Sequence, residues 1–479
     1  MGDSDQITNA IPGNNTEGNK MLDEKLQWPD SPTSDVSLSH GRITKGLNDV
    51  EQRIKEAGEA KYNRLGWKRT TILLIIEAIA LGALSIPSAF ATLGMVGGIV
   101  SSVGIGLLAI YTAYIIGQVK IAYPSVQHYA DVGTLMMGRF GYEVFTIMFV
   151  LQLIFVTGSH CLTGAIAFRH ITESGICSVI FGVVSAIILL LLAIPSSFAD
   201  MAILGYIDFV SIVAAIGITI VATGIKATNA PGGLSAVDWS PWPQGNPTFA
   251  EGFIAINNII FAYAFATCQL SFMDEMHTPE DYTKSIYALG LLEIVIYTVT
   301  GTTIYAFVGP GVQSPALLSA GTVVSRIAFG IALPVIFISG SINTVVAGRL
   351  IHSRIYKNSV TRYVNTLKGW TTWLALISIA TIISWIIAEA IPFFSDLLSI
   401  SSALFTSGFS FYLPPVMWFL LLRKGGWCSK ENILPCILNG FAFFFGVVVL
   451  VGGLYSTIED IKTNYRNGTV RSPFGCDPV

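Results

Sequence analysis

Glu77 stands inside an apolar run, and five residues later that run is interrupted by Gly82-Ala83-Leu84-Ser85-Ile86-Pro87. Both features are out of place in an ordinary membrane helix. An acid inside a span is costly and faces a pathway or a partner. In a low dielectric such a group can take up and release a proton near neutral pH. Glycine is a poor helix former, and Pro87 lacks the N–H that would bond back to residue 83. A helix broken there leaves backbone N–H and C=O groups free. At membrane depth these are tolerated only where they line a cavity within protein. A broken helix beside a buried acid therefore predicts a binding site in mid-membrane. The other reading of the same residues is a Pro-kinked packing helix whose acid is bonded to a neighbour. Asp208, Glu293 and His160 also fall inside apolar runs. Each reads as a tie between helices or as a competitor of Glu77 for proton traffic.

No pattern of enzymatic chemistry accompanies them. The six cysteines, at 161, 177, 268, 428, 436 and 476, show no CxxC or Cys/His metal spacing. HExxH, GxSxG and phosphate-loop patterns are absent from the sequence. No catalytic residue, metal site or cofactor is expected. A net charge of −3 gives no reason to expect nucleic acid or another polyanion as partner.

The elements that must position the acid and the break are membrane helices. Only 12% of the 479 residues are charged, about half the share usual in soluble domains. Mean hydropathy is +0.63. Residues 1–66 read as a polar N-terminal tail, with a candidate amphipathic helix over 42–65 and no signal peptide. Eleven apolar segments follow, near 70–93, 95–119, 143–168, 176–194, 201–225, 249–272, 284–308, 322–347, 371–391, 396–422 and 433–457. The membrane part covers 67–457 and leaves a tail of 458–479. Lys61, Arg64, Lys68 and Arg69 precede span one, and Arg349, Arg354, Lys357, Arg362 and Lys368 follow span eight. This bias places the N-terminus in the cytoplasm and, with an odd span count, the C-terminus outside. Asn467-Gly468-Thr469 is then a glycosylation acceptor on the correct side. Cys161 and Cys177 flank a short outer loop and read as a disulfide or as two packed thiols.

Span six is the second unusual span. Asn257 and Asn258 lie within it, and its middle, Phe261-Ala262-Tyr263-Ala264-Phe265-Ala266-Thr267, mixes small and aromatic residues. Spans one and six each open a group of five. Because five is odd, the second group is inverted relative to the first, and the two irregular helices meet near the midplane. The predicted fold is all-α, with eleven transmembrane helices in a 5+5 inverted repeat plus one extra helix.

The run Gly82-Ala83-Leu84-Ser85-Ile86-Pro87-Ser88-Ala89-Phe90, with Gly94 after it, resembles the first-span signature of the amino acid/auxin permease family. The resemblance extends over residues 66–457. It implies a LeuT-like fold and symport of an amino acid with a proton or sodium. The substrate carboxylate would be held by N–H groups of Gly82, Ala83, Leu84, Ser85 and Ile86, aided by the half-helix dipole. The ammonium would meet carbonyls of span one and of Tyr263, Ala264, Phe265 and Ala266. Phe261 and Phe265, with Phe149, Phe155, Phe405 and Phe409, would line an apolar side-chain pocket. Each of these phenylalanines, taken singly, also reads as core packing.

Sodium-coupled relatives place an asparagine in span one, where this chain has Glu77 or Ile76, and Ser or Thr in span eight. Span eight here offers Ser339, Ser341 and Asn343 as ion-coupling partners, or as ties between helices. The expectation is import of neutral aliphatic and aromatic amino acids across the plasma membrane, coupled to protons rather than sodium. The competing class is an amino acid sensor that signals through its N-terminal tail. A channel is disfavoured, because no ring of pore charges is visible.

Overall fold

A computed structural model describes residues 64–357, 359–426, 429–467 and 472–476. The expected helix over 42–65 lies outside them except for its last two residues. Two short half-helices, α1 (Trp67–Ala78) and the start of α2 (Leu81–Ala122), open the membrane part. At about 1.5 Å per residue, the 42 residues of α2 would be twice the thickness of a bilayer core. The chain reverses at Gly94, whose φ of +74° L-residues rarely adopt. A Cβ there would lie 2.5 Å from the Trp242 carbonyl carbon of the 230–248 loop. Span one is thus α1 plus residues 81–93, and span two is 95–122.

Span three lies in α3 (Tyr129–Thr172), which bends at Gly138. Spans four and five are α4 (Ser178–Leu192) and α5 (Phe198–Asn229). Span six is again split, into α6 (Phe249–Ala262) and α7 (Ala266–Met273). Its start follows from local sequence. Thr248 Oγ1 accepts from the Glu251 N–H at 3.2 Å, and Glu251 Oε2 accepts from the Thr248 N–H at 2.7 Å. Spans seven to nine are α8 (Tyr282–Val308), α9 (Thr322–Ile355) and α10 (Leu367–Ala390). Span ten starts as α11 (Phe394–Ser401) and is wound as a wider π-helix over Ser402–Tyr412. Pro414 and Pro415 follow and supply no N–H to the carbonyls one turn back. After α12 (Leu413–Met417) and a last π-wound turn, α13 (Ile433–Asn467) is the extra span. Asn467 ends it, and Thr469 of the sequon lies outside the described residues. The described chain makes eleven crossings, and its only β feature is an isolated bridge.

Two expectations are corrected. The disulfide joins Cys177 to Cys476, 299 residues apart, while Cys161 is a free, buried thiol. Cys161 lies well inside span three and donates to the Gly182 carbonyl at 3.4 Å. Residues 472–476 instead come to the mouth of span four, where Ser178 Oγ donates to Gly475 O. Second, span one is broken at Ile79–Ala80, upstream of Gly82–Pro87, and the helix runs through Pro87.

Candidate functional site

The two broken spans meet at their breaks. A Cβ built on Gly82 would fall 2.6 Å from Ala262 Cα, so the second residue of the second half of span one touches the last helical residue before the break in span six. The Tyr297 hydroxyl of span seven lies 3.0 Å from both the Ala78 and the Ala262 carbonyl, the last helical residue before each break. This explains why span one opens where it does. A carbonyl that has left its ladder is stable in a buried site if a side chain captures it, and Tyr297 does so at Ala78. Gly82 is needed as part of a helix that packs on Ala262.

The break of span one frees the N–H groups of the first turn after it, which include those of Leu81, Gly82 and Ala83. Ser85 and Ile86 lie in the next turn, and Ser85 Oγ folds back onto the Gly82 carbonyl at 2.9 Å. In span six, Tyr263 and Phe265 frame the break at Ala264, and Ala266 opens the second half. The Tyr263 hydroxyl reaches Ser102 of span two at 3.3 Å.

Glu77 is buried in the last turn before the break, where its carboxyl meets the Cys268 thiol of α7. Glu293 is buried one turn before Tyr297 and within electrostatic range of Glu77. Glu77 Oε2 finds no hydrogen-bond partner among the described residues, and the Glu293 carboxyl interacts with the Tyr297 side chain. Ser339, Ser341 and Asn343 of span eight form hydrogen bonds to groups other than Glu77. Ser339 Oγ donates to Asp208 Oδ1 of span five at 2.9 Å, Asn343 Nδ2 donates to the Ser339 carbonyl at 3.0 Å, and Ser341 Oγ turns to the Ile338 carbonyl at 2.7 Å. His160 ties span three to the Ile336 carbonyl at 2.7 Å.

Four of the six phenylalanines meet across spans three and ten. Phe149 and Phe409 have ring centroids 5.8 Å apart, and Phe155 and Phe405 5.5 Å, both edge-on. Between these pairs lies Gln152. Tyr297, Cys268 and Gln152 were not singled out from sequence. Tyr297 is spaced i+4 from Glu293, one turn along the same face, and Gln152 is a lone amide in the run FVLQLIF. Those were the available signals.

Cavities lie towards both ends of the breaks. One of about 430 Å³ is lined by His128, Asp274, Arg349, His352 and Arg362 among others. There Arg349 pairs with buried Glu275 and lies over the Phe198 ring at 4.2 Å, and Lys120 pairs with Asp274 at 2.9 Å. The segment before α1 is stitched to the end of span six, Leu65 N–H to Glu275 O at 3.0 Å and His277 N–H to Leu65 O at 3.1 Å. Towards the opposite end a cavity of about 250 Å³ is lined by Ser88, Thr92, Glu251, Asn258, Asp396 and Asp460 among others.

Residues 63–459 match the family model described as transmembrane amino acid transporter protein. The chain belongs to that family. It is a transport protein and not an enzyme. The transporter is 58% identical over 456 residues to the N amino acid transport system protein of Neurospora crassa, covering 95% of this chain and 97% of that one. A transmembrane transporter of Fusarium pseudograminearum is 26% identical, over 92% and 94% of the two chains. Among solved structures, MhsT in complex with L-phenylalanine aligns with a TM-score of 0.50 at 14% identity, over 80% of this chain and 98% of that one. That likeness establishes the LeuT-like fold.

Proposed function

We propose that the transporter imports neutral aliphatic and aromatic amino acids by proton symport with alternating access. The observation that carries this reading is the pair of helix breaks held together by Tyr297 beside an aromatic wall. A zwitterion needs donors for its carboxylate and acceptors for its ammonium. The first-turn N–H groups of Leu81–Ala83, at the positive end of a half-helix, suit the former. The main-chain carbonyls at the breaks suit the latter. The described contacts around the breaks bring in no lysine or arginine, which favours neutral over acidic side chains. The name of the Neurospora relative is in keeping with amino acid transport. Purified protein in liposomes, given labelled leucine and an inside-alkaline gradient, should accumulate it, and competition by arginine or glutamate alone would contradict the neutral assignment. A sensor would bind without accumulation.

The mouth lined by Asp274 and Arg349 is assigned to the cytoplasm, where the lysine and arginine excess lies. Cys177 and Cys476 are at the other end, and a disulfide suits an oxidising exterior. At the plasma membrane of intact cells, an impermeant maleimide should label these two cysteines only after external reduction. Labelling that needs permeabilised cells would reverse the topology or the membrane assignment.

Alternating access requires the cytoplasmic mouth to open, which exposes Glu275 to water. In the closed mouth burial pushes its carboxyl up to about 7 from 4.5, with Arg349 opposing and Asp274 adding to the rise. Protons thus bind the closed form more tightly, so acid favours closure. Between pH 8 and pH 6 on that side, closure should gain about tenfold in weight over opening. Accessibility of a cysteine placed at Ser353 should report this. Glu275→Gln should flatten the response, and an unchanged pH profile would refute the assignment.

A further inference from the structure

Gln152 is 1% exposed, on the wall that span three turns towards the break of span six. Its Nε2 donates to Thr267 Oγ1 at 3.2 Å and to Thr406 Oγ1 at 3.1 Å. Thr267 is in the first turn after the Ala264 break, and Thr406 lies in the π-wound part of span ten between Phe405 and Phe409. The amide is therefore clamped from two sides at its nitrogen. Its Oε1 is buried and has no hydrogen-bond partner among the described residues. Phe149 and Phe155 are three residues to either side along span three, so the amide stands between aromatic residues. A buried carbonyl without a donor is unfavourable, and a buried polar atom of this kind in a binding wall points to a ligand group that completes it.

We propose that Gln152 sets the side-chain specificity of the site, accepting on Oε1 a hydrogen bond from neutral amino acids whose side chain carries a donor, the amides asparagine and glutamine above all. The proposal rests on the amino acid reading above and narrows it. The two phenylalanine pairs hold the apolar part of the side chain, and the fixed amide reads its end. Aliphatic side chains are admitted at the cost of leaving Oε1 unpaired, so the site is broad among neutral substrates and does not exclude polar ones. An acceptor already in place offsets the cost of desolvating a side-chain donor, whereas a purely apolar wall would leave that donor unpaired and penalise it.

The test uses near-isosteric pairs, leucine with asparagine and methionine with glutamine, as competitors of labelled leucine uptake in liposomes containing the full chain. The wild-type protein should take asparagine and glutamine within a few-fold of their apolar partners. In Gln152→Leu and Gln152→Met, inhibition by the two amides should weaken about tenfold relative to leucine and methionine. Gln152→Glu, which keeps an acceptor oxygen, should retain the wild-type ratio. Wild-type protein that ignores both amides overturns the proposal, as does an equal loss for all four competitors in the leucine and methionine variants. The latter would make Gln152 a tie between spans three, six and ten. Failure of the wild-type protein to accumulate leucine is a separate result and sinks the amino acid reading itself.

Discussion

Gly82→Val is expected to lower transport about a hundredfold while leaving the protein in the membrane. The reason is a close approach that cannot give way. A Cβ at residue 82 would lie 2.6 Å from Ala262 Cα and 2.7 Å from its Cβ. The obstacle is backbone, so no rotamer change relieves it. The half-helices must separate, which pulls the Ala78 and Ala262 carbonyls away from the single Tyr297 hydroxyl between them. Overpacking of this kind costs about 1–3 kcal/mol, or roughly five- to 150-fold in rate if the strain falls on the working geometry. Gly82→Ala should fall between wild type and valine. Adding Ala262→Gly to it should recover part of the loss, because the clash between the two methyl groups goes while the clash with the Ala262 main chain stays. Initial rates of labelled leucine uptake, normalised to protein in the liposomes, make the comparison. Transport by Gly82→Val within twofold of wild type would show that the close approach is incidental.

The second large effect is expected at Glu77. Glu77→Gln should abolish accumulation driven by an inside-alkaline gradient, while exchange of labelled for unlabelled leucine continues. Glutamine keeps the shape and a polar contact to Cys268 but has no proton to exchange. The carboxyl is one turn from the Ile79–Ala80 break and within electrostatic range of Glu293, so its charge state is felt where the substrate's charged end would sit. Wild-type accumulation should survive replacement of sodium by choline. Gradient-driven accumulation that persists unchanged in Glu77→Gln would remove Glu77 from the coupling path. A strict sodium requirement would instead turn attention to Asp208 and Ser339, whose side chains meet at 2.9 Å in the other buried polar cluster.

Much of the architecture can be read along the chain because it follows from local chemistry. Hydropathy marks the spans, since a membrane helix must be apolar over its whole length. Thr248 and Glu251 announce the start of span six through a reciprocal cap that needs only residues three apart. The small and aromatic run Phe261–Thr267 contains its break. The pairing of spans one and six follows from counting, because an odd-numbered repeat must invert.

Other features depended on groups far apart in sequence. Span one opens at Ile79–Ala80 rather than at its glycine and proline, because a hydroxyl more than two hundred residues away captures the Ala78 carbonyl. Propensity at Gly82 and Pro87 pointed to weakness in that helix, but a helix yields where its freed groups are received. Cys177 found its partner in the C-terminal tail, and spacing along the chain says nothing of such a meeting. Ser339 turned to Asp208, a choice set by which spans pack together. The sequence alone thus determined the kind of protein, its spans and the two places where they are irregular, since these depend on composition and on neighbours within a turn or two. Only the tertiary structure decided which polar group answers which. In a core without water, each freed carbonyl or amide is stable only against a partner, and the fold alone brings that partner near.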